Sequence, residues 1–169
     1  DECVAVGDAA LYALNHATDA DGSVAVGFEA LKALTSGAGN VAIGYQAMDA
    51  LTVGDDNLAI GYNAMTGVTT TSGIDRNIAI GNYSMDQATT SAHADNIFIG
   101  FNSGGGIWNT GAATLGCVAI GNYTMTGVMN AANRNTAVGH YSGTSLTSGS
   151  NNTFLGKGSA QSLTTGEGN

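Results

Sequence analysis

Few residues of this chain could take part in catalysis or metal binding. Their spacing in the sequence does not predict that they come together in a catalytic group. The three histidines, His16, His93 and His140, lie at unrelated points of a repeat that runs through the chain, so they predict no metal cluster. Glycosidic cleavage needs two carboxylates at a defined separation, whereas most of the 13 acidic residues fall in segments that we predict to be loops. No Ser, His and Asp can be grouped by spacing. We therefore predict that the protein is not an enzyme.

Two acidic pairs could bind calcium through loop oxygens. Asp19 and Asp21 lie on either side of Ala20, just before Gly22, and Asp55 directly precedes Asp56. Carboxylate and carbonyl oxygens are the ligands that Ca²⁺ prefers, but the first pair lacks the rest of an EF-hand loop. Calcium is the one cofactor that the sequence suggests, and the alternative is that these residues are solvated turn carboxylates.

Aromatic residues are the candidates for ligand contact. Trp108, the single Trp, lies beside three consecutive glycines, where it could stack on a sugar ring or anchor a loop by packing on its neighbours. Other aromatics follow a repeated Gly directly, and these are Phe28, Tyr45, Tyr62 and Phe101. A further set comes one residue later and consists of Tyr83, Tyr123 and Tyr141. A column of aromatics is typical of edge packing or subunit contact. We take Trp108 and the later set as candidate ligand contacts.

Composition excludes several classes of function. The net charge is −9 and only four residues are basic, so the positive surface that nucleic-acid binding needs is missing. An anionic membrane surface would also repel the chain. No apolar run approaches the ~18 residues of a membrane helix, and no signal peptide is visible. Hydrophobic residues make up 43% and charged residues 10%, so the chain can bury a core, while much of its surface must be uncharged or covered by other chains.

An internal repeat organises the whole sequence. One polar residue, three apolar residues and a Gly recur nine times, and the Gly residues follow one another at intervals of 17 to 21. The copies end at Gly7, Gly27, Gly44, Gly61, Gly81, Gly100, Gly121, Gly139 and Gly156. The seventh residue after each Gly is apolar, as in Leu51, Ile107 and Val128, and the extra residues of longer copies follow it. Insertions at one point of a repeat map to one edge of a solenoid. We predict an all-β fold, a single parallel β-solenoid domain over 1–169 with nine coils.

Each predicted strand is apolar on both faces. Val41 and Ile43 share one face and Ala42 lies on the other, because strand side chains alternate. We assign the Val/Ile face to the thin core, so that Ile60→Asp should unfold the middle coils. We assign the Ala face to contact with other copies; its residues include Ala42, Ala59, Ala79, Ala119 and Ala137. This predicts a side-by-side homo-oligomer, with three copies natural for a fibre. The alternative is a monomer whose second strand covers the alanines.

The residue before each strand is usually Asn and predicts an amide ladder. Six copies carry it, as Asn40, Asn57, Asn77, Asn96, Asn135 and Asn152. Stacked at a strand spacing of ~4.8 Å, these amides would bond to one another, although a row of ligand-binding amides is an alternative. Cys3 and Cys117 take the same position six coils apart, roughly 29 Å at that spacing. They cannot pair within one chain, and we predict buried free thiols.

The repeat resembles known fibre repeats. The unit Asn40-Val41-Ala42-Ile43-Gly44 resembles the β-roll repeats in heads of trimeric autotransporter adhesins. Asn135-Thr136-Ala137-Val138-Gly139 is similar to the N-T-A-V-G repeats of phage tail fibres and related bacterial surface fibres. The resemblance covers essentially all of the chain, although its coil lengths vary more than those of adhesin heads and no stalk, anchor or self-cleaving chaperone accompanies it.

This resemblance implies a left-handed trimeric β-roll or β-helix, located extracellularly, on a cell surface or on a virion. It also implies binding to a cell-surface glycan or protein receptor. Because the chain stops in phase at Asn169, we expect either a segment of a longer fibre or an end that stacks on another unit.

Three functions follow as hypotheses. The first is a structural and adhesive fibre segment that supports or mediates host-surface recognition. The second is a subunit of a self-assembling extracellular filament. The third is a monomeric ice- or glycan-binding solenoid, which is suggested by a row of threonines eight residues after the Gly. That row comprises Thr35, Thr52, Thr69, Thr89, Thr147 and Thr164.

Overall fold

The protein is a parallel β-solenoid, as the sequence predicted. The computed structural model describes residues 2–14, 21–68, 73–88, 92–108 and 112–169, and this part of the chain contains nine strands of three residues. They are β1 Val4–Val6, β2 Val24–Val26, β3 Val41–Ile43, β4 Leu58–Ile60, β5 Ile78–Ile80, β6 Ile97–Ile99, β7 Val118–Ile120, β8 Thr136–Val138 and β9 Thr153–Leu155. All nine form one parallel sheet in chain order. We number each coil after the strand that opens it.

Equivalent repeat positions lie directly above one another. Val41 pairs with Leu58 and Ala42 with Ala59 across β3 and β4. The same correspondence holds across β5 and β6, although 19 residues separate those repeats instead of 17. A slip of one residue would turn every side chain to the opposite face of the sheet. The added residues of longer coils are therefore absorbed outside the strands.

The Gly that ends each strand is required by the closeness of the next coil. Gly44 has a φ of 141°, and a Cβ on this residue would lie 2.2 Å from the carbonyl oxygen of Gly61. Any other residue would collide with backbone at this point and would adopt a conformation that only Gly takes readily. The repeated Gly thus sets the bend after the strand.

The turn after each Gly contains two left-handed residues, and in coils one to five and seven neither of them is glycine. Gln46 and Met48 have φ angles of 51° and 52°, a conformation that costs roughly 1–2 kcal/mol for a residue with a Cβ. The N–H of Gln46 donates to the carbonyl of Phe28 in the preceding coil (2.8 Å), and that of Met48 donates to Ala64 in the following coil (2.9 Å). Hydrogen bonds in both directions along the stack therefore offset the strain.

The core lies on the alanine face of the strands, so the predicted assignment of the two faces is wrong. The alanines expected to contact other subunits are fully buried within their own chain; they are Ala42, Ala59, Ala79, Ala119 and Ala137. On the other face Ile43 remains 39% exposed. The physical reason is volume, because the left-handed position after the Gly supplies a large buried side chain such as Met48. A narrow coil that encloses a Met has room for only a small strand residue.

Two exchanges of large and small residues support this explanation. Phe98 replaces the strand alanine in β6, and Gly104 takes the place that Met occupies in neighbouring coils. Phe154 replaces it in β9, and its ring lies against Gly143 of the preceding coil. In both cases the ring fills the space of the missing side chain.

The residue that enters the core from the part of the coil opposite the strand differs from the predicted one in two coils. Leu34, Leu51 and Leu146 are buried there, as expected for the seventh residue after the Gly. In coils six and seven, however, Ile107 and Val128 are 51% and 48% exposed, and the following residues, Trp108 and Met129, are buried instead. The core residue comes one position later in these coils, so apolar character alone does not locate it.

Candidate functional site

An apolar surface lies on the outward face of the sheet, which we call the outer face and define as the first and third residues of each strand. From β2 to β7 these residues are all Val, Leu or Ile, and in β8 and β9 Thr136 and Thr153 also occur. Ile43 and Ile120 are about two-fifths exposed, at 39% and 40%. None of the nine strands in the described part of the chain contains a charged residue. The outer face is therefore a continuous aliphatic strip without charge.

A row of aromatic rings runs beside the outer face along the solenoid, and we call it the aromatic ribbon. Its members are Phe28, Tyr45, Tyr62, Tyr83, Phe101, Tyr123 and Tyr141. Successive ring centroids lie 5.0 to 5.9 Å apart. The two sets of aromatics distinguished in the sequence thus form one uninterrupted row, which includes the candidate residues Tyr83, Tyr123 and Tyr141.

Asparagine explains how the ribbon stays continuous when the aromatic shifts by one position. Asn82 and Asn122 take the place directly after the Gly, and their Oδ1 atoms accept the backbone N–H groups of Tyr62 (3.0 Å) and Phe101 (2.9 Å). The next residues, Tyr83 and Tyr123, are left-handed, with φ angles of 59° and 55°. The amide bonds to the preceding coil while the following residue supplies the ring.

Ring orientation divides the ribbon into two kinds of surface. Phe28, Tyr45 and Tyr62 are nearly parallel, with interplanar angles of 16° and 8°, so their faces cover one another. From Tyr62 through Tyr83 and Phe101 to Tyr123 the angles are 63°, 74° and 62°. In an edge-to-face pair one ring presents only its edge to its neighbour. In this second stretch the rings therefore do not lie flat against one another, and each contact joins the edge of one ring to the face of the other.

Trp108 is not a surface residue, so the hypothesis that it contacts a ligand is wrong. Its side chain is 1% exposed, and its Nε1–H donates to the carbonyl of Gly104 (2.7 Å). The indole packs edge-to-face against Phe98 at 5.0 Å and His93 at 4.9 Å. It is an anchor for coil six, which agrees with the alternative reading of this residue.

His93 is a core residue whose surroundings keep it neutral. Its Nδ1 accepts the backbone N–H of Thr114 (3.0 Å), so the neutral ring carries its proton on Nε2. Burial lowers the pKa of His93 to about 4. Within the described ranges no group of three or more His, Cys, Asp and Glu residues could hold a metal ion. His93 thus belongs to the packing around Trp108.

The asparagines form a buried amide ladder. The Nδ2 of Asn57 donates to Oδ1 of Asn40 (3.0 Å) and to the carbonyl of Ile74 (2.6 Å), while its backbone N–H also donates to that Oδ1 (3.1 Å). Asn77 and Asn96 repeat this arrangement in the following coils. Because the amides are buried and bonded to the protein, they are not available to bind a ligand.

Cysteine interrupts the ladder at coil seven. The Sγ of Cys117 donates to the carbonyl of Ala132 (2.9 Å) and accepts a long hydrogen bond from the N–H of Asn135 (3.5 Å). Burial raises the pKa of the Cys117 thiol to about 11, so this group is a neutral thiol at physiological pH. Cys3 takes the equivalent position in coil one but is only half-buried, so the predicted burial holds for Cys117 and not for Cys3. No disulfide joins them, as their separation predicted.

The acidic residues proposed as calcium ligands include one with a structural role. The Oδ1 of Asp55 accepts the backbone N–H of Ala38 (2.8 Å), and Asp75 accepts that of Asp55 in the same way (3.0 Å). Each carboxylate thereby bonds to a turn of the preceding coil. Asp19 lies outside the described residues, and calcium binding by Asp21, Asp55 and Asp56 stays a prediction.

Two threonines of the threonine row donate their hydroxyls to backbone carbonyls. The Oγ1 of Thr35 bonds to the carbonyl of Thr52 (2.9 Å), and that of Thr147 bonds to the carbonyl of Thr164 (2.8 Å). Thr69 and Thr89 lie outside the described residues. Hydroxyls used in this way link successive coils, which gives the row a structural explanation.

Comparison with known proteins does not add a relative to this description. No protein-family model matches the chain, and neither a curated protein nor a solved structure matches it. In the ranges that the structure describes, no helix has the length and apolar character needed to cross a membrane. The outer face and the aromatic ribbon are thus the surface features that bear on function.

Proposed function

We propose that the protein is a non-enzymatic segment of a structural and adhesive fibre, in which copies associate side by side through the outer face. The observation that carries this proposal is the outer face itself, an uncharged aliphatic strip in a chain of net charge −9. Water-exposed apolar surface of this kind favours association because burying it is favourable.

The size of the outer face supports association. Nine strands at a spacing of ~4.8 Å and three residues at ~3.3 Å each give an area of about 400 Å². The largest apolar patch on a typical monomer measures about 300–600 Å² and is often a functional contact surface, so the outer face has the size of such a patch. The aromatic ribbon alongside enlarges the apolar surface further.

The distribution of charge also supports association. The strands contain no Asp or Glu, so copies of an acidic chain can meet at the outer face without bringing carboxylates into the contact. The rows of side chains on this face are evenly spaced and in register, which allows one copy to pack its ridges between those of another. From the sequence we expected the contact between copies on the alanine face, and we now propose it on the opposite, outer face of the strands.

The finer features of the proposal come from the resemblance to fibre repeats. These are a left-handed winding of the coils, a trimer with parallel copies, and a location outside the cell, on a cell surface or on a virion. In this arrangement the solenoid serves as a shaft, and the surface beside the interface is free to meet a receptor.

Sedimentation equilibrium of the purified chain tests the proposal. We expect a discrete oligomer at micromolar concentration, with three copies as the specific expectation. Small-angle scattering should then give a rod whose length equals that of one solenoid. A chain that stays monomeric at concentrations of about 100 µM would overturn the proposal, since buried obligate interfaces persist far below that range.

A further inference from the structure

We propose that the aromatic ribbon between Tyr62 and Tyr141 binds an extended, neutral glycan that lies along the solenoid axis. The proposal rests on the adhesive part of the proposed function and names the class of ligand and the residues that meet it. It does not require the outer face, which we assign to contacts between copies.

The orientation of the aromatic rings supports sugar binding. A pyranose stacks its C–H bonds on the negatively charged face of an aromatic ring, because the edge of the ring is positive. Between Tyr62 and Tyr123 successive rings are turned by 62° to 74°, so they do not lie flat against one another, whereas Tyr123 and Tyr141 are stacked at 20°. Phe101 is 39% exposed at the centre of this stretch. The stretch therefore has the surface that sugar stacking needs.

The spacing of the rings along the solenoid also supports an extended ligand. Ring centroids from Tyr62 to Tyr141 are 5.5, 5.9, 5.4 and 5.3 Å apart. This interval is close to the advance of one sugar in an extended β-linked polysaccharide. A chain of sugars can then run beside the row of rings, because the solenoid sets the rings at a nearly constant interval. A globular ligand would use only one or two of them.

Polar groups beside the rings can donate hydrogen bonds to a glycan. Asn82 and Asn122 are exposed, and their Oδ1 atoms are engaged by backbone N–H groups of the preceding coil. Those bonds fix the amide planes, and in the described part of the chain no hydrogen bond engages either Nδ2 group. An Nδ2 group is a donor of two hydrogen bonds. The amides next to Tyr83 and Tyr123 can therefore donate to sugar hydroxyls.

Charge selects the class of glycan. The ribbon itself consists of Phe and Tyr, the imidazole of His140 contacts Tyr141 and Tyr123 at its end, and the chain as a whole carries −9. Long-range repulsion disfavours sialylated, sulfated or uronic acid chains, so the ligand is neutral. A protein receptor is the less favoured occupant, since a stable protein contact uses about 800 Å² on each partner and the ribbon is a single row of rings.

Binding of the full chain to an array of neutral and acidic glycans tests the proposal, with cellohexaose and chitohexaose as solution probes. We expect neutral β-linked chains to be retained and acidic chains not to be. The variant Tyr83→Ala/Tyr123→Ala should bind about tenfold or more weakly, as the loss of stacking on aromatic rings predicts. The variant Tyr83→Phe/Tyr123→Phe keeps the rings and should retain most of the affinity.

Tyr12→Ala is the matched control, because Tyr12 is 77% exposed and is not a member of the ribbon. This variant should bind like the wild type, and circular dichroism of each variant verifies that it is folded. The proposal is overturned if no neutral glycan is retained, if acidic glycans are preferred, or if the alanine variant binds as well as Tyr12→Ala. Sedimentation of the same samples separates the two proposals: an oligomer that binds no glycan contradicts only this one, and a glycan-binding monomer contradicts only the side-by-side assembly.

Discussion

Phe98 and Gly104 share one space in the core of coil six. A Cβ built on Gly104 would lie 2.5 Å from Cδ1 of Phe98, and the φ of Gly104 is 64°, close to the 50° of Met85 at the equivalent position one coil earlier. The backbone there already accepts a Met in other coils. What excludes a side chain at Gly104 is therefore the phenylalanine ring and not the turn.

This relationship predicts a strong coupling between the two positions. Phe98→Ala should destabilise the protein by about 3–5 kcal/mol, as loss of a buried ring does, and Gly104→Met alone should also destabilise it by overpacking. The double variant restores the arrangement of coil five and should recover a large part of the loss. Urea unfolding of the four proteins measures the coupling. Additive losses would show that the ring and the glycine do not compete for the same space.

The two faces of β4 predict opposite outcomes for neighbouring substitutions. Ala59 is fully buried, so Ala59→Asp places a charge in the core and should unfold the middle coils. Ile60 lies on the outer face and is only half-buried in the single chain, so Ile60→Asp should leave each solenoid folded. If copies associate through the outer face, Ile60→Asp should instead dissociate the oligomer.

Circular dichroism and sedimentation together test this pair of variants. The expected result is an unfolded or severely destabilised Ala59→Asp protein and a folded, dissociated Ile60→Asp protein. If Ile60→Asp remains fully associated, the outer face is not the interface. If Ala59→Asp melts like the wild type, the core is not on the alanine side.

Two titratable groups in coil five, the buried His93 and the half-buried Asp86, predict opposing effects of pH. Burial lowers the pKa of His93 from 6.5 to about 4, so the unfolded chain takes up this proton first and stability falls as the pH drops from 6.5 towards 4. The full effect is roughly 3 kcal/mol. Burial raises the pKa of Asp86 from 3.8 to about 6, so the unfolded chain releases this proton first and stability falls as the pH rises from 4 towards 6.

Urea unfolding at several pH values between 4 and 7 can separate these two effects. The contributions of His93 and Asp86 offset each other in the wild type, which should show a shallow dependence on pH. Asp86→Asn should leave the His93 slope, with stability increasing with pH, whereas His93→Gln should leave a decrease with pH. Equal slopes in the two variants would contradict the assignment of the groups.

Cys117 predicts a stabilising substitution. The ladder position that it occupies holds Asn96 in the coil before and Asn135 in the coil after, and the Oδ1 of Asn96 already accepts the N–H of residue 117 (3.0 Å). Cys117→Asn supplies a second donor to that Oδ1 and should raise stability by about 1 kcal/mol. Thermal melting compares it with the control Cys117→Ala, which should lose the bond to Ala132. A lower melting temperature for the asparagine variant than for the alanine variant would show that the ladder cannot be completed here.

The sequence was sufficient to predict the solenoid, the strands and the positions of the amide ladder, because each depends on residues that recur at fixed intervals. It was not sufficient to orient the strands, since Val41 and Ala42 are both apolar and alternation alone does not say which face is inside. The size of the residue opposite decides this, and the exchanges of Phe98 with Gly104 and Phe154 with Gly143 were visible in the sequence as a compensating pattern.

Other features depended on geometry that spacing does not encode. Trp108 was a candidate ligand contact because it lies beside three consecutive glycines, and only the path of coil six shows that the core residue there is Trp108 and not Ile107. The ribbon joins rings from two positions because Tyr83 and Tyr123 adopt left-handed backbone, which a residue count does not reveal.

The pair of left-handed residues typified by Gln46 and Met48 makes each turn dependent on both of its neighbours, since one donates to the coil before and the other to the coil after. A lone coil would bear the conformational cost without either bond. Growth of the stack from an existing end is consequently much easier than starting a new one, so the solenoid should form by nucleation and sequential addition. Its length can then vary by whole repeats during evolution without any change in how a single repeat folds.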